Sequence, residues 1–148
     1  MTTILEKSLG AVAKGGTAPL TQVYKFAEPI TERGFVYMDS PGYDPASVTG
    51  QIASGANLIV FTTGRGSVSG YKPTPCIKLA TNTEMYTRMS DDMDINCGDI
   101  VTAGVSLQSK ADEIFEMFLA VASGKQTKSE DLGFGGSEFV PWAMGAVM

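Results

Sequence analysis

The chain has 148 residues, 43% hydrophobic and 18% charged, with a formal net charge of −5. That balance fits a single globular domain with a real core, and it excludes non-specific nucleic-acid binding, which needs a basic face. No apolar run reaches the ~18 residues of a membrane span.

The chain contains no histidine. Ser-His-Asp and Cys-His catalysis are therefore excluded, and the commonest metal ligand is missing. Cys76 and Cys97 have neither zinc-finger nor Cys-x-x-Cys spacing and read as buried thiols in a reducing compartment. The first residues lack the apolar core of a signal peptide, so a cytoplasmic location is expected.

Thr3 and Glu6 form a capping box that opens a helix to about Ala13, with Leu5, Leu9 and Val12 on one face. Gly15-Gly16 stops it. A start so close to a helix cap looks like a domain boundary within something longer. Thr17 to Glu28 reads as a short helix or an edge strand, ended by Pro29. Phe35 to Met38 is a buried-strand candidate. Asp44 as N-cap and Pro45 at the first helical position then start a small-residue helix over Ala46 to Ser54, with Val48 and Ile52 inward and Gly55 as its stop.

Leu58 to Phe61 is an unbroken apolar run, as expected of a strand buried on both faces. Strand, helix and strand from Phe35 to Phe61 make a right-handed βαβ unit, which brings Asp39-Ser40 and Thr62 to Ser67 to one edge of a sheet. Thr62, Thr63, Gly64, Arg65, Gly66 and Ser67 leave that edge as a turn. The glycines flanking Arg65 allow close approach of a ligand, and three hydroxyls with one guanidinium suit a carboxylate, a phosphate or a polyol.

Cys76 to Ala80 is a third strand, and its direction is open. If it is parallel, Thr81, Asn82 and Thr83 join the same edge; if antiparallel, they lie at the far one. Thr83 is read as the cap of a helix to about Ser90. Asp91-Asp92-Met93-Asp94 reads as a solvated acidic surface, with a short strand around Ile95. Ser106 to Ala122 is the clearest helix. Its expected buried stripe is Ile114, Phe115, Phe118, Leu119 and Ala122, with Lys110, Glu113 and Glu116 off it. The apolar tail from Thr127 to Met148 either folds over its own core or meets another domain. The fold expected is α/β: a three-layer, Rossmann-like sheet of mostly parallel strands flanked by helices, residues 1–148 forming one domain.

Six segments carry a family resemblance: Glu6-Lys7-Ser8-Leu9-Gly10, Ser40-Pro41-Gly42-Tyr43-Asp44-Pro45, Phe61-Thr62-Thr63-Gly64-Arg65-Gly66-Ser67, Lys78-Leu79-Ala80-Thr81-Asn82-Thr83, Met93-Asp94-Ile95-Asn96-Cys97-Gly98 and Glu138-Phe139-Val140-Pro141-Trp142. In this order they span nearly the whole chain, and together they resemble the C-terminal part of the altronate dehydratase and galactarate dehydratase family. The Lys72-Pro73 loop and the Asp94 to Gly98 segment look more like the altronate branch. The resemblance implies a hydro-lyase that removes water from a sugar acid to give a 2-keto-3-deoxy acid, with a divalent metal, usually iron(II). It also implies upstream domains as partners, and places a His-containing metal site largely upstream. A homo-oligomer is a further candidate assembly.

Such an elimination takes a weakly acidic proton from the carbon beside a carboxylate and must stabilise enediolate-like charge. Arg65 is the candidate carboxylate clamp. Thr62, Thr63 and Ser67, with Gly64 and Gly66 between them, are candidates for the sugar hydroxyls, as are Asn82 and Asn96. Lys78 is a candidate base or carboxylate partner, or else an edge lysine snorkelling to water. Asp39 is a candidate base or metal ligand, or a turn-forming Asp. A thiol ligand at Cys97 is the weakest of these. Two other functions compete with a hydro-lyase domain: an anion- or sugar-acid-binding or oligomerising module without catalysis, and a phosphate-binding domain. The phosphate reading fits poorly, because Thr62 to Ser67 lacks Walker spacing.

Overall fold

The computed structural model describes residues 3–142. The elements in chain order are α1 (Ile4–Lys14), β1 (Leu20–Tyr24), β2 (Phe35–Met38), α2 (Asp44–Ala53), β3 (Ile59–Thr63), β4 (Cys76–Ala80), α3 (Thr83–Arg88), β5 (Ile95–Asn96), α4 (Asp99–Thr102), α5 (Leu107–Ala122) and α6 (Lys128–Asp131). The α/β class with parallel strands and flanking helices is as expected. The Cys76–Ala80 strand is parallel to both its neighbours, in the order β3-β4-β5, with Phe61 opposite Lys78 and Leu79 opposite Ile95.

Helices flank this sheet on both faces, making three layers. On one face Val48 and Ile52 of α2 pack with Ile59, Tyr71 and Cys76. On the other, Ile77, Leu79 and Ile95 pack with Val121, Ile114, Met117 and Phe118 of α5. The alternation of Cys76 and Ile77 to opposite faces is the period-two rule of a strand buried on both sides. Ile77 is wholly buried; burial of such a side chain contributes about 1.5–3 kcal/mol.

The βαβ expectation needs one correction. β1 and β2 form a separate parallel pair, and no ladder joins β2 to β3. Strand, helix and strand are present in sequence, but their two strands lie in different sheets, because β2 spends its one paired edge on β1.

Local signals fared unevenly. The Thr3–Glu6 capping box forms. Asp44 is the first residue of α2 and not its cap, a position held by Tyr43; an acidic group there still faces the positive end of the helix. Asn82, not Thr83, caps α3. On α5 the packed stripe runs through Ile114, Met117, Phe118 and Val121, and Phe115, Leu119 and Ala122 are exposed. Lys110, expected outside, is buried and ion-paired with Asp99 and Glu113. The apolar face of α1 is also exposed, Leu5, Leu9 and Val12 included.

Asp94 is not a solvated surface carboxylate. Its two oxygens accept the backbone N–H groups of Lys78 and Lys128, at 2.7 and 2.9 Å, and so tie the central strand to α6. The tail folds back over the domain: Lys72 N donates to Gly135 O, Ser129 Oγ donates to Ser69 O, and Trp142 meets Tyr43 edge to face. The rest of the tail, from Ala143, lies outside the described residues.

Gly98, which precedes α4, is buried, and a Cβ there would fall on the backbone of Asn82 and Thr83. Backbone cannot yield as a side chain does. Gly98→Ala is expected to destabilise the fold by about 1–3 kcal/mol in urea unfolding, whereas Gly10→Ala, in mid-α1 and facing open space, is expected to be neutral to slightly stabilising, by at most about 1 kcal/mol.

Candidate functional site: the C-terminal edge of the three-stranded sheet

Because β3, β4 and β5 run parallel, their C-terminal ends share one edge. Three segments leave it: Thr62 to Ser67, Thr81 to Thr83, and Asn96 to Gly98. This edge of an α/β sheet is where ligands bind, since the loops there are free of the ladder.

The first segment is held by its neighbours. Thr63 Oγ1 accepts the N–H groups of Arg65 and Gly66, at 3.3 and 3.1 Å, which curls the turn back on its own strand. Asn82 works in two directions: Nδ2 donates to Gly64 O at 2.9 Å, while Oδ1 accepts Met85 N at 2.8 Å and caps α3. Thr81 Oγ1 donates to Thr63 O. Gly66 has φ of +97°, and a Cβ there would meet Met89 Sδ. Conformation and space both call for glycine at that position.

The third segment is tied to the second. Asn96 Oδ1 accepts Gly98 N at 2.9 Å, and Asn96 Nδ2 donates to Thr83 Oγ1, which is in turn 2.9 Å from Thr102 Oγ1. Asn82 and Asn96 therefore shape the edge, and this use of their amides was not legible in their spacing. Thr81, Thr83 and Thr102 belong to the same network; Thr81 and Thr83 are the residues expected here if β4 runs parallel, whereas Thr102, the last residue of α4, carries no sequence signal.

Arg65 stands out against this. Its residue is exposed, and among the described residues its guanidinium makes no hydrogen bond or ion pair. Thr62 and Gly64 are exposed beside it; Ser67 is half-buried. The edge thus presents one free cation, hydroxyls and amides, the donor set that a polyhydroxy carboxylate requires.

Lys78 lies on β4 beneath this edge and does not snorkel. It is wholly buried, and Nζ donates to Ser67 O at 3.1 Å. Burial lowers its pKa below the ordinary lysine range, opposed by the nearby Asp94 and Asp92 carboxylates. Cys76 and Tyr71 lie close by, and burial pushes each up to about 12. The Lys78 ammonium thus grips the end of the Thr62–Ser67 turn from below and touches no solvent.

Asp39 is not delivered by the three-stranded sheet. It follows β2, in the other sheet, is exposed, and has no hydrogen bond or ion pair to Arg65. Among the described residues no group of three His, Cys, Asp or Glu is placed to hold a metal ion. The residues present do not fit a complete iron site. Neither cysteine is in a disulfide. Burial raises the Cys97 thiol above its ordinary range, which disfavours the thiolate a metal requires. No helix is long and apolar enough to cross a membrane among these residues.

The chain is thus an α/β domain whose parallel-sheet edge carries an exposed arginine between two glycines. The D-galactarate/altronate dehydratase C-terminal family matches residues 1–147, and the chain belongs to that family. It is 40% identical to galactarate dehydratase (L-threo-forming) of Escherichia coli K12 over 128 residues, 86% of this chain and 24% of that protein. It is 33% identical to altronate dehydratase of Bacillus subtilis 168 over 134 residues, 90% of this chain and 27% of that protein. It is 36% identical to the (2R)-sulfolactate sulfo-lyase subunit beta of Chromohalobacter salexigens, over 90% of this chain and 34% of that subunit. The chain therefore spans about a quarter to a third of the length of these relatives.

The buried lysine makes a pH test available. Its lowered pKa means that, between that value and 10.5, the unfolded chain holds a proton the folded chain has released. Folding stability then rises with pH through that window. Lys78→Met removes this contribution and leaves those of Cys76 and Tyr71. The stability of the wild type relative to Lys78→Met, from urea unfolding, is expected to increase from neutral pH towards 10.5. A constant difference would contradict the burial of a charged lysine.

Proposed function

We propose that this chain is the acid-recognition part of a sugar-acid dehydratase, which eliminates water from an altronate-like substrate to give a 2-keto-3-deoxy acid. The observation that carries the reading is Arg65, unpaired and exposed on a turn whose shape is fixed by Thr63, Asn82 and Lys78. Its planar fork pairs with one carboxylate in bidentate fashion. Thr62, Ser67 and the exposed surface of Asn82 then face the hydroxyl-bearing carbons.

Relatives named for galactarate, altronate and sulfolactate have an acid group in common and lose different groups, water or a sulfur oxyanion. A region shared by all three is best suited to reading the common acid. A charge-assisted pair at the carboxylate withdraws electron density from the adjacent carbon, and its hold strengthens as enediolate charge develops. The proton-accepting base and the ligands of any divalent metal are supplied from outside residues 3–142 in this reading. Lys78 then serves as a positioning residue, since its Nζ is shut away from the edge.

A galactarate-like substrate is the second reading, favoured by the 40% identity to a galactarate dehydratase. The two are separated by comparing kcat/KM for altronate and galactarate in a complete chain carrying this region. In that chain Arg65→Ala is expected to raise KM for the preferred acid about ten- to a hundredfold, the worth of a hydrogen bond to a charged group. Unchanged kcat and KM would remove Arg65 from the site. The 148-residue chain by itself is expected to form no keto acid, even with ferrous ion added.

A further inference from the structure

β2 and β3 each have an unused edge, and the two edges face one groove of about 360 Å3, bounded by Val36 to Met38 on one side and Leu58 to Val60 on the other. The direction of the backbone groups follows from the ladders. Asp39 N donates to Tyr24 O, so alternate residues Phe35, Tyr37 and Asp39 face β1. Val36 and Met38 then face the groove. Ile59 N donates to Pro75 O and Thr63 O accepts Thr81 N, so Ile59, Phe61 and Thr63 face β4. Val60 and Thr62 then face the groove from the other side. Backbone N–H and C=O groups of both strands thus face this groove, with no strand between them among the described residues. Such groups act as a template for a further strand, and leaving them bare is costly unless water or another chain meets them.

We infer that this groove is a slot for one extended segment of a dehydratase polypeptide lying outside the region described here, and that this segment joins the two sheets into one. The lining has no charged side chain: it combines Ile30, Val36, Tyr37, Met38, Ala56, Leu58, Ile59 and Val60 with the neutral Ser40 and Gln51. A sugar acid finds no cation there. An uncharged strand finds hydrogen bonds on both edges and apolar contact on both faces. The relatives supply the chain for it, since about two thirds to three quarters of their length lies outside the matched region. A second copy of this chain would present a sheet edge already attached to its neighbours, which does not fit between two facing edges. The inference rests on family membership and is independent of Arg65.

The test compares amide hydrogen exchange in two proteins: the 148-residue chain, and Escherichia coli galactarate dehydratase carrying this chain in place of its matched region. The amides of Val36, Met38, Val60 and Thr62 are expected to exchange at least tenfold more slowly in the longer protein, with Tyr37 and Phe61 protected in both. Slow exchange at those four amides in the short chain, as a monomer or a dimer, would overturn the slot, and so would fast exchange in both proteins. Val60→Pro provides a second reading. Proline deletes only an N–H that points into the groove, and edge strands tolerate it. It should leave the melting temperature of the short chain within about 2 °C and lower that of the longer protein clearly; equal effects in both would count against the slot. Should the exchanged protein fail to fold, intact Escherichia coli galactarate dehydratase and its excised matched region are compared over the strand aligned with Ile59–Thr63, with the same two outcomes.

Discussion

Strand Cys76–Ala80 lies in parallel between two others, and the geometry of the edge follows from that pairing. A parallel strand brings its C-terminal loop to the same side as its neighbours' loops. Thr81 and Asn82 therefore meet the Thr62–Ser67 turn, and Asn96 meets Thr83. An antiparallel strand would have sent Asn82 to the far edge and left the Gly64 carbonyl without its amide partner. Below the edge, the same strand carries Lys78 to the Ser67 carbonyl. One strand thus holds the turn at both its ends.

This arrangement leaves the structural polar groups satisfied and one cation over. The Asn82 amide, the Thr63 hydroxyl and the Lys78 ammonium are spent on backbone, and the Asn96 amide on Gly98 N and the Thr83 hydroxyl. Arg65 is not. A wider groove of about 570 Å3 lies elsewhere, between α5 and the Lys125–Asp131 segment, and is lined by Asp94, Glu113, Glu116 and Asp131 against Lys125 and Lys128. With four acids and two lysines it repels a sugar acid. Charge decides between them.

Continuous apolar runs such as Leu58 to Phe61 mark strands but not their burial: β3, expected to be buried on both faces, is an edge strand with Val60 exposed, and Phe35 and Tyr37 of β2 are exposed as well. The Thr62–Ser67 turn was legible because glycine on both sides of a charged residue has few purely local uses. What could not be read was which edges would pair. Val36 and Val60 have the same residue type and the same apolar flanks whether or not a strand lies between them, so the split into two sheets left no trace in the pattern. Nor did periodicity reveal that Lys110 would be buried, because its partner Asp99 sits on a different helix. Asp94 looked like one of three surface carboxylates, and its structural role depends on two N–H groups distant in sequence. Placing Asp39 at the edge presumes a sheet that β2 does not join.

The central claim is that the edge formed by Gly64 to Ser67, Asn82, Thr83 and Asn96 receives the acid. It is tested most directly by following the backbone amide resonances of the 148-residue chain as galactarate or altronate is added at millimolar concentration. The account predicts shifts concentrated at Gly64, Arg65, Gly66 and Asn82, abolished by Arg65→Ala. Shifts centred on the Asp94–Lys128 groove, or none that depend on Arg65, would contradict it.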